Sequence, residues 1–340
     1  MHWPAEFAPQ ASVQLTWPHA GTDWGDDFTT VEPVFQALAR LITARAELIV
    51  AAADPDHVHQ ALELAGVSLD KAQVFECPTD DVWARDHAPI TVVDGDRALL
   101  LDFRFDGWGG KFDASQDNVI SRRLHDAGAF GHTDLHGIDW TLEGGGIESD
   151  GAGTLLATRA CLLDPRRNPG VTQAGLEASL HEWLGVTRVL WLEHGHLEGD
   201  DTDSHIDTLA RVANPNVITF QACDNRLDSH HDGLKAMQRE LSAFRTPAGH
   251  PYELVPLPLP EPQIGDDGRR LPAGYANFLI LNDAVLVPVY RTHADDIALR
   301  RLDDAFPSHR IEPVDCRALI TQNGSLHCVT MNYPDIGATP

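Results

Sequence analysis

One short signal returns four times along the chain, and it limits the fold more than any other feature. At Asp94-Gly95, Asp150-Gly151, Asn214-Pro215 and Asn282-Asp283, a turn-forming pair separates two runs rich in branched and apolar residues. Asp-Gly between such runs is a strong hairpin signal, because glycine accepts the positive φ that tight hairpin turns demand. The turns are spaced 56, 64 and 68 residues apart. Between them the apolar residues take helical periodicity over 31–45, 116–127, 172–184, 233–244 and 295–306,. Short strands follow most of these helices, at 48–50, 189–192, 254–257 and 310–314. Each unit therefore reads strand–turn–strand–helix–strand. A fifth hairpin is expected between a C-terminal strand at 326–331 and an N-terminal strand at 13–17, which would join the two ends of the chain. One such unit cannot bury both of its faces, so the units must pack around a common axis. The expected architecture is α/β, with about five radial units in a single domain spanning 1–340. The loop 258–272, rich in Pro, Gly and charge, reads as a surface insertion.

Acidic residues outnumber basic ones 51 to 25, for a formal net charge of −26. Nucleic acid and anionic membrane both require a basic face, so neither is expected as a partner. The balance favours small cations instead. No run approaches the ~18 consecutive apolar residues of a spanning helix, and the first residues lack a basic, apolar leader. The five cysteines are odd in number and scattered, with no Cys-x-x-Cys. That pattern reads as free thiols in a reducing compartment, and the cytoplasm is the expected location.

Five polar segments stand where strands should start or end. Trp83-Ala-Arg-Asp86-His87 offers an aromatic face and a carboxylate, the two groups that hold a cation; a buried Trp with an Arg85–Asp86 pair is the plainer reading. Leu142-Glu143-Gly144-Gly145-Gly146 lets the backbone approach another group closely and leaves Glu143 uncrowded. It lacks the Lys of a phosphate-cradling loop. In Gly199-Asp-Asp-Thr-Asp203-Ser204-His205-Ile206-Asp207, His205 and Asp207 lie two apart, so on a strand both face one side. An imidazole beside a carboxylate suits proton shuttling near a bound cation. The same segment also offers hard metal ligands, with Asp200, Asp201, Asp203, His194 and His196 nearby. A solvated acidic loop is the third reading, and the segment alone does not choose between them. Asn323-Gly-Ser-Leu-His327-Cys328 presents a thiol beside a histidine in the expected last strand. Tyr275-Ala-Asn277-Phe278 supplies polar groups at a strand start but no specific chemistry. Asp86, Glu143, His205 and Cys328 fall at the starts of successive hairpins or in the closing strand. Radial packing would bring them to one pocket.

These segments, in this order, resemble the agmatine deiminase family, grouped with bacterial peptidyl-arginine deiminases in the guanidino-group-modifying superfamily. Trp-Ala-Arg-Asp, Glu-Gly-Gly-Gly, Gly-Asp-Asp-Thr-Asp-Ser-His-Ile-Asp and His-Cys-Val-Thr carry the likeness, and Cys161-Leu-Leu-Asp-Pro-Arg-Arg-Asn-Pro extends it. The resemblance implies a five-bladed pseudo-symmetric α/β propeller, no metal or other cofactor, and a small cationic guanidine as substrate. A homodimer is compatible with it. By position, Cys328 resembles the family nucleophile, His205 its general acid/base and Glu143 the carboxylate paired with the catalytic site. Asp86 and Asp207 match the guanidinium-binding pair, and Trp83 the aromatic wall. The chain departs from the common pattern at His87-Ala88, at Ser204 and at Gly324-Ser325-Leu326. Three carboxylates near one thiol should raise its pKa, so the thiolate is expected mainly when cationic substrate is bound.

Overall fold

The computed structural model describes residues 1–95 and 97–337, and within them the strands form five small sheets. Four sheets share one plan, an antiparallel hairpin followed by a third strand parallel to the second. They are Ile90–Asp94, Arg97–Arg104 and Asp134–Thr141; Glu148–Ser149, Thr154–Thr158 and Arg188–Leu192; Ala210–Asn214, Val217–Ala222 and Glu253–Pro258; and Leu279–Leu281, Ala284–Val289 and Arg310–Asp315. The expected hairpins at 94, 150, 214 and 282 are thus all present. A parallel partner cannot be reached by a tight turn, and helices supply most of the crossovers: Ile120–Asp126, Gln173–Leu184, His231–Ala243 and His293–Ala305.

The remaining sheet joins the two ends of the chain. Thr330–Pro334 pairs antiparallel with Gln10–Thr16, and Glu47–Ala52 and Ala72–Glu76 continue it in parallel. Helix Glu32–Thr43 connects the second and third of these strands and buries Phe35, Leu38 and Ile42 in one cluster with Leu15, Leu48 and Val50. Burying each such side chain is worth about 1.5–3 kcal/mol, so this closure is firmly held. Tyr333 adds a buried bond from its hydroxyl to Gln14 Oε1 at 2.6 Å.

The sequence reading missed helix Pro55–Leu64 and the strands Ala72–Glu76 and Asp134–Thr141. Both strands lie at sheet edges and are largely exposed or half-buried, so their apolar alternation is weak. Two placements are corrected. His205 and Asp207 do not lie on a strand; Ile206–Thr208 is a single 3-10 turn, and the strand begins at Ala210. Asp203 and Ser204 just before it adopt φ of 66° and 69°, and the Thr202 hydroxyl accepts a bond from His205 N at 3.1 Å. This local capping outcompetes the extended conformation. Cys328 likewise sits in a turn, two residues before the closing strand.

Candidate active site

Five short irregular segments, each ahead of a sheet's first strand or the closing strand, deliver the polar groups. Ala84–His87 forms one helical turn before Ile90–Asp94 and carries Asp86. Glu143 precedes a 3-10 turn of three glycines. The turn after Ser204 carries His205 and Asp207, Asn277 precedes Leu279–Leu281, and Cys328 precedes Thr330–Pro334. Asp86, Glu143, His205, Asp207, Asn277 and Cys328 are all buried.

Cys328 Sγ lies 3.8 Å from Asp207 Oδ2 and 3.4 Å from Asn277 Oδ1. Burial pushes its thiol well above the ordinary range, and the Asp207 and Asp86 carboxylates add to the rise. A protonated thiol is therefore the resting form, as expected from the sequence. His205 Nδ1 is 3.6 Å from Asp86 Oδ1, and Nε2 is 3.9 Å from Glu143 Oε2. Both are beyond hydrogen-bond length, and neither ring nitrogen has a partner. Burial pulls this imidazole down to about 3, so it rests neutral, with one nitrogen free to accept a proton.

The two aspartates differ in electrostatics. Burial pushes Asp86 well above the usual carboxylate range, with Asp207 and Glu143 reinforcing the shift. Its Oδ2 accepts from Trp108 Nε1 at 2.9 Å and its Oδ1 from Gly145 N at 3.0 Å. Asp207 is as deeply buried, which alone would raise it, yet the His327 hydrogen bond and charge hold it below its ordinary value. Its Oδ1 has no partner. Glu143 does not hydrogen-bond to His205. Arg167 Nε donates to both Glu143 oxygens, at 2.8 and 2.9 Å, and Arg167 in turn binds Asp203 and the carbonyl of Thr202.

The glycines earn their places sterically. A Cβ on Gly145 would stand 2.5 Å from His205 Nδ1 and 2.8 Å from Asp86 Oδ1. A Cβ on Gly324 would stand 2.1 Å from the Trp83 ring. Trp83 is thus pressed against the loop that leads to Cys328, and its Nε1 donates to Asp81 Oδ2 at 2.9 Å.

A cavity of about 370 Å³ reaches two of these groups, Asp86 and Cys328. Asp86, Trp83, Trp108 and Cys328 line it, together with Asp23, Asp81 and Asp201. Burial pushes Asp81 well above the carboxylate range and Asp201 up to about 6. No lysine or arginine is among the described residues lining this cavity.

The metal set considered from the sequence does not assemble. His194 is half exposed, its Nδ1 2.5 Å from Glu240 Oε1. Among the described residues, the trio close enough to share an ion is instead Glu143, Cys161 and His205. The sequence reading gave no role to Trp108 or Arg167, and it marked Asn277 as a polar group at a strand start without assigning it any chemistry. Trp108 had a signal: it sits in Gly107-Trp-Gly-Gly, where it takes φ of 57°, a region that bulky side chains rarely enter,. Arg167 lay inside the Arg-Arg-Asn-Pro run already marked as part of the resemblance.

The chain is similar to known proteins over nearly its whole length. It is 30% identical to the agmatine deiminase of Stutzerimonas stutzeri, covering 98% of this chain and 95% of that one. A cysteine-to-serine variant of the C. jejuni agmatine deiminase, solved with substrate bound, superposes with a TM-score of 0.90 at 33% identity, over 98% and 96% of the two chains. A Porphyromonas gingivalis protein provisionally named an arginine deiminase gives 0.93 at 46% identity, over 98% of each. The family model of Porphyromonas-type peptidyl-arginine deiminases matches residues 2–334. By that match, the chain belongs to this deiminase family.

Proposed function

We propose that the chain is an agmatine deiminase, hydrolysing agmatine to N-carbamoylputrescine and ammonia, with Cys328 as nucleophile. The observation that carries this reading is the buried thiol of Cys328, 3.8 Å from Asp207 Oδ2, in a cavity that it shares with Asp86, while the other Asp207 oxygen, Oδ1, has no partner. Asp207 and Asp86 take the guanidinium N–H groups through charge-assisted bonds and fix its carbon before the sulfur. Binding the cation favours ionisation of both Asp86 and the thiol. The neutral His205 accepts the Cys328 proton, and the thiolate attacks the guanidinium carbon. An S–C bond forms, a C–N bond breaks, and His205 returns the proton to the departing ammonia. A water then attacks the thiouronium carbon while His205 takes its proton. The C–S bond breaks as the new hydroxyl loses its proton to solvent, His205 returns its proton to the sulfur to restore the thiol, and the ureido product leaves. Glu143, locked by Arg167, places its charge near the imidazole rather than hydrogen-bonding to it. Trp83 walls the cavity.

Three further aspartates at the cavity, Asp23, Asp81 and Asp201, favour a dication over a zwitterion,. Arg85, the one candidate partner for an α-carboxylate, is committed elsewhere, to Asn332 and Met331. The second reading, deimination of arginine or peptidyl-arginine, draws on the family description and the P. gingivalis relative.

The whole of 1–340 is read as one catalytic domain, its five sheets arranged as a five-bladed pseudo-symmetric propeller. Support comes from the site itself, since the segments ahead of all five sheets contribute a polar group. No helix among the described residues is long and apolar enough to cross a membrane. Five buried free cysteines accord with a cytoplasmic setting,.

The test is ureido-product formation from agmatine, arginine and a blocked arginine peptide, side by side, with and without a chelator. Turnover of agmatine alone, unaffected by chelation and abolished in Cys328→Ala, is the expected result. Turnover of a different guanidine moves the substrate. Activity that survives loss of Cys328 overturns the mechanism.

A further inference from the structure

The residue before the nucleophile, His327, is gripped by a carboxylate on each side of its ring. Nδ1 lies 2.8 Å from Asp207 Oδ2, and Nε2 lies 2.7 Å from Glu6 Oε2. None of the three side chains is more than 8% exposed. Glu6 comes from the N-terminal segment, more than 300 residues away in sequence.

Glu6 has little freedom to turn away. Its Oε1 accepts from Ile280 N at 2.8 Å and pairs with Arg211 Nη2 at 2.9 Å, while Arg85 Nη2 lies 3.5 Å from its Oε2. Burial by itself would raise this carboxyl, but Arg211, His327 and Arg85 together hold it well below the usual carboxylate range. Asp207 is also held low. Two ionised carboxylates only accept hydrogen bonds, so both ring nitrogens of His327 must donate. Each end of the ring thus faces a carboxylate oxygen within hydrogen-bond length.

We propose that Glu6 and His327 form a charge relay that keeps Asp207 ionised and holds its orientation for the substrate guanidinium. His327 occupies Asp207 Oδ2 and leaves Oδ1 buried without a partner, on the carboxylate that lies 3.8 Å from Cys328 Sγ. That oxygen is the one left for a ligand N–H. Asn277 Oδ1 receives His327 N at 2.9 Å and Cys328 N at 3.4 Å, so the turn bearing the nucleophile is fixed by the same cluster. Glu6 is a positioning residue, acting through His327. Without its charge, a doubly protonated His327 would be buried beside Arg85 and Arg211 with one carboxylate fewer, and a neutral ring would bind Asp207 more weakly. The proposal rests on Asp207 as a guanidinium ligand.

The first arm is a two-bond ¹H–¹⁵N correlation spectrum of full-length protein labelled at histidine nitrogen, with His327→Gln identifying the signal. The relay requires both His327 nitrogens protonated at neutral pH, and one proton fewer in Glu6→Gln. A singly protonated, neutral ring in the unsubstituted protein overturns it. The second arm is kinetics with agmatine. Since the contact to Asp207 is present in both ground and transition states, Glu6→Gln should raise KM about tenfold and leave kcat within about threefold. A Glu6→Gln variant that folds and keeps its KM overturns the relay, whatever its thermal stability. The spectrum needs no turnover, so an imidazolium His327 in a protein that turns over no guanidine would count against the proposed activity and not against the pairing.

Discussion

Gly145 shows how narrow the tolerances are at the level of single residues. Its backbone N–H donates to Asp86 Oδ1 while its Cα faces His205 and Asp207, so even a methyl group has nowhere to go. Gly145→Ala should therefore lower kcat/KM at least about a hundredfold, since misplacing reacting groups by even 1 Å costs that much. Circular dichroism should stay unchanged while steady-state kinetics shows the loss. The need for Gly145 could be guessed from three consecutive glycines, but its reason could not. The atoms that exclude a side chain come from Asp86, His205 and Asp207, on two other segments. The same holds for Glu143. Its sequence position marked it as important, yet its partner in the structure is Arg167, and the imidazole is 3.9 Å away.

Among the elements, helix His293–Ala305 was legible because its boundaries are written locally. Thr292 and Asp295 form a reciprocal capping box, and the Tyr275 hydroxyl bonds to both,. Thr292→Ala should cost about 1 kcal/mol of stability, read as a shift in the urea midpoint with unchanged slope. Helix Pro55–Leu64 carries similar marks, with Asp54 accepting from His57 N and Pro55 at its first position, but its apolar face is short. The strand Asp134–Thr141 was harder to read. It has an exposed His136 and a Gly137 in its middle, and only pairing with Arg97–Arg104 makes it extended. The segment around His205 was misread because alternation alone favours a strand. Left-handed Asp203 and Ser204 and the Thr202 cap turn it instead.

At the scale of the whole molecule, burial of histidines that have no hydrogen-bonded carboxylate has a cost that appears in acid. His87 and His205 are both buried, and burial draws each from the ordinary 6.5 down to about 3. Between those values the unfolded chain binds a proton at each and the folded chain does not. Stability is therefore fully present above pH 6.5 and is lost as pH falls towards 3, by up to about 1.4 kcal/mol per pH unit for each histidine. Denaturant titrations from pH 7 to 5 should show this slope, and His87→Gln should reduce it by up to one proton's share. A variant with an unchanged slope would show that His87 is protonated within the fold. The repeats, the hairpin turns, most of the helices and the candidate thiol, imidazole and three carboxylates of the site were legible in the sequence itself. Turn chemistry, apolar period and reactive side chains are properties of neighbouring residues and are written locally. Which carboxylate stays ionised was decided only by the tertiary structure. Asp86 and Asp207 are equally acidic in isolation, and what separates them is company: Asp86 faces two other carboxylates, whereas Asp207 is bonded to His327, itself held by Glu6 from the far end of the chain. Charges interact through space, across separations that the order of residues does not record.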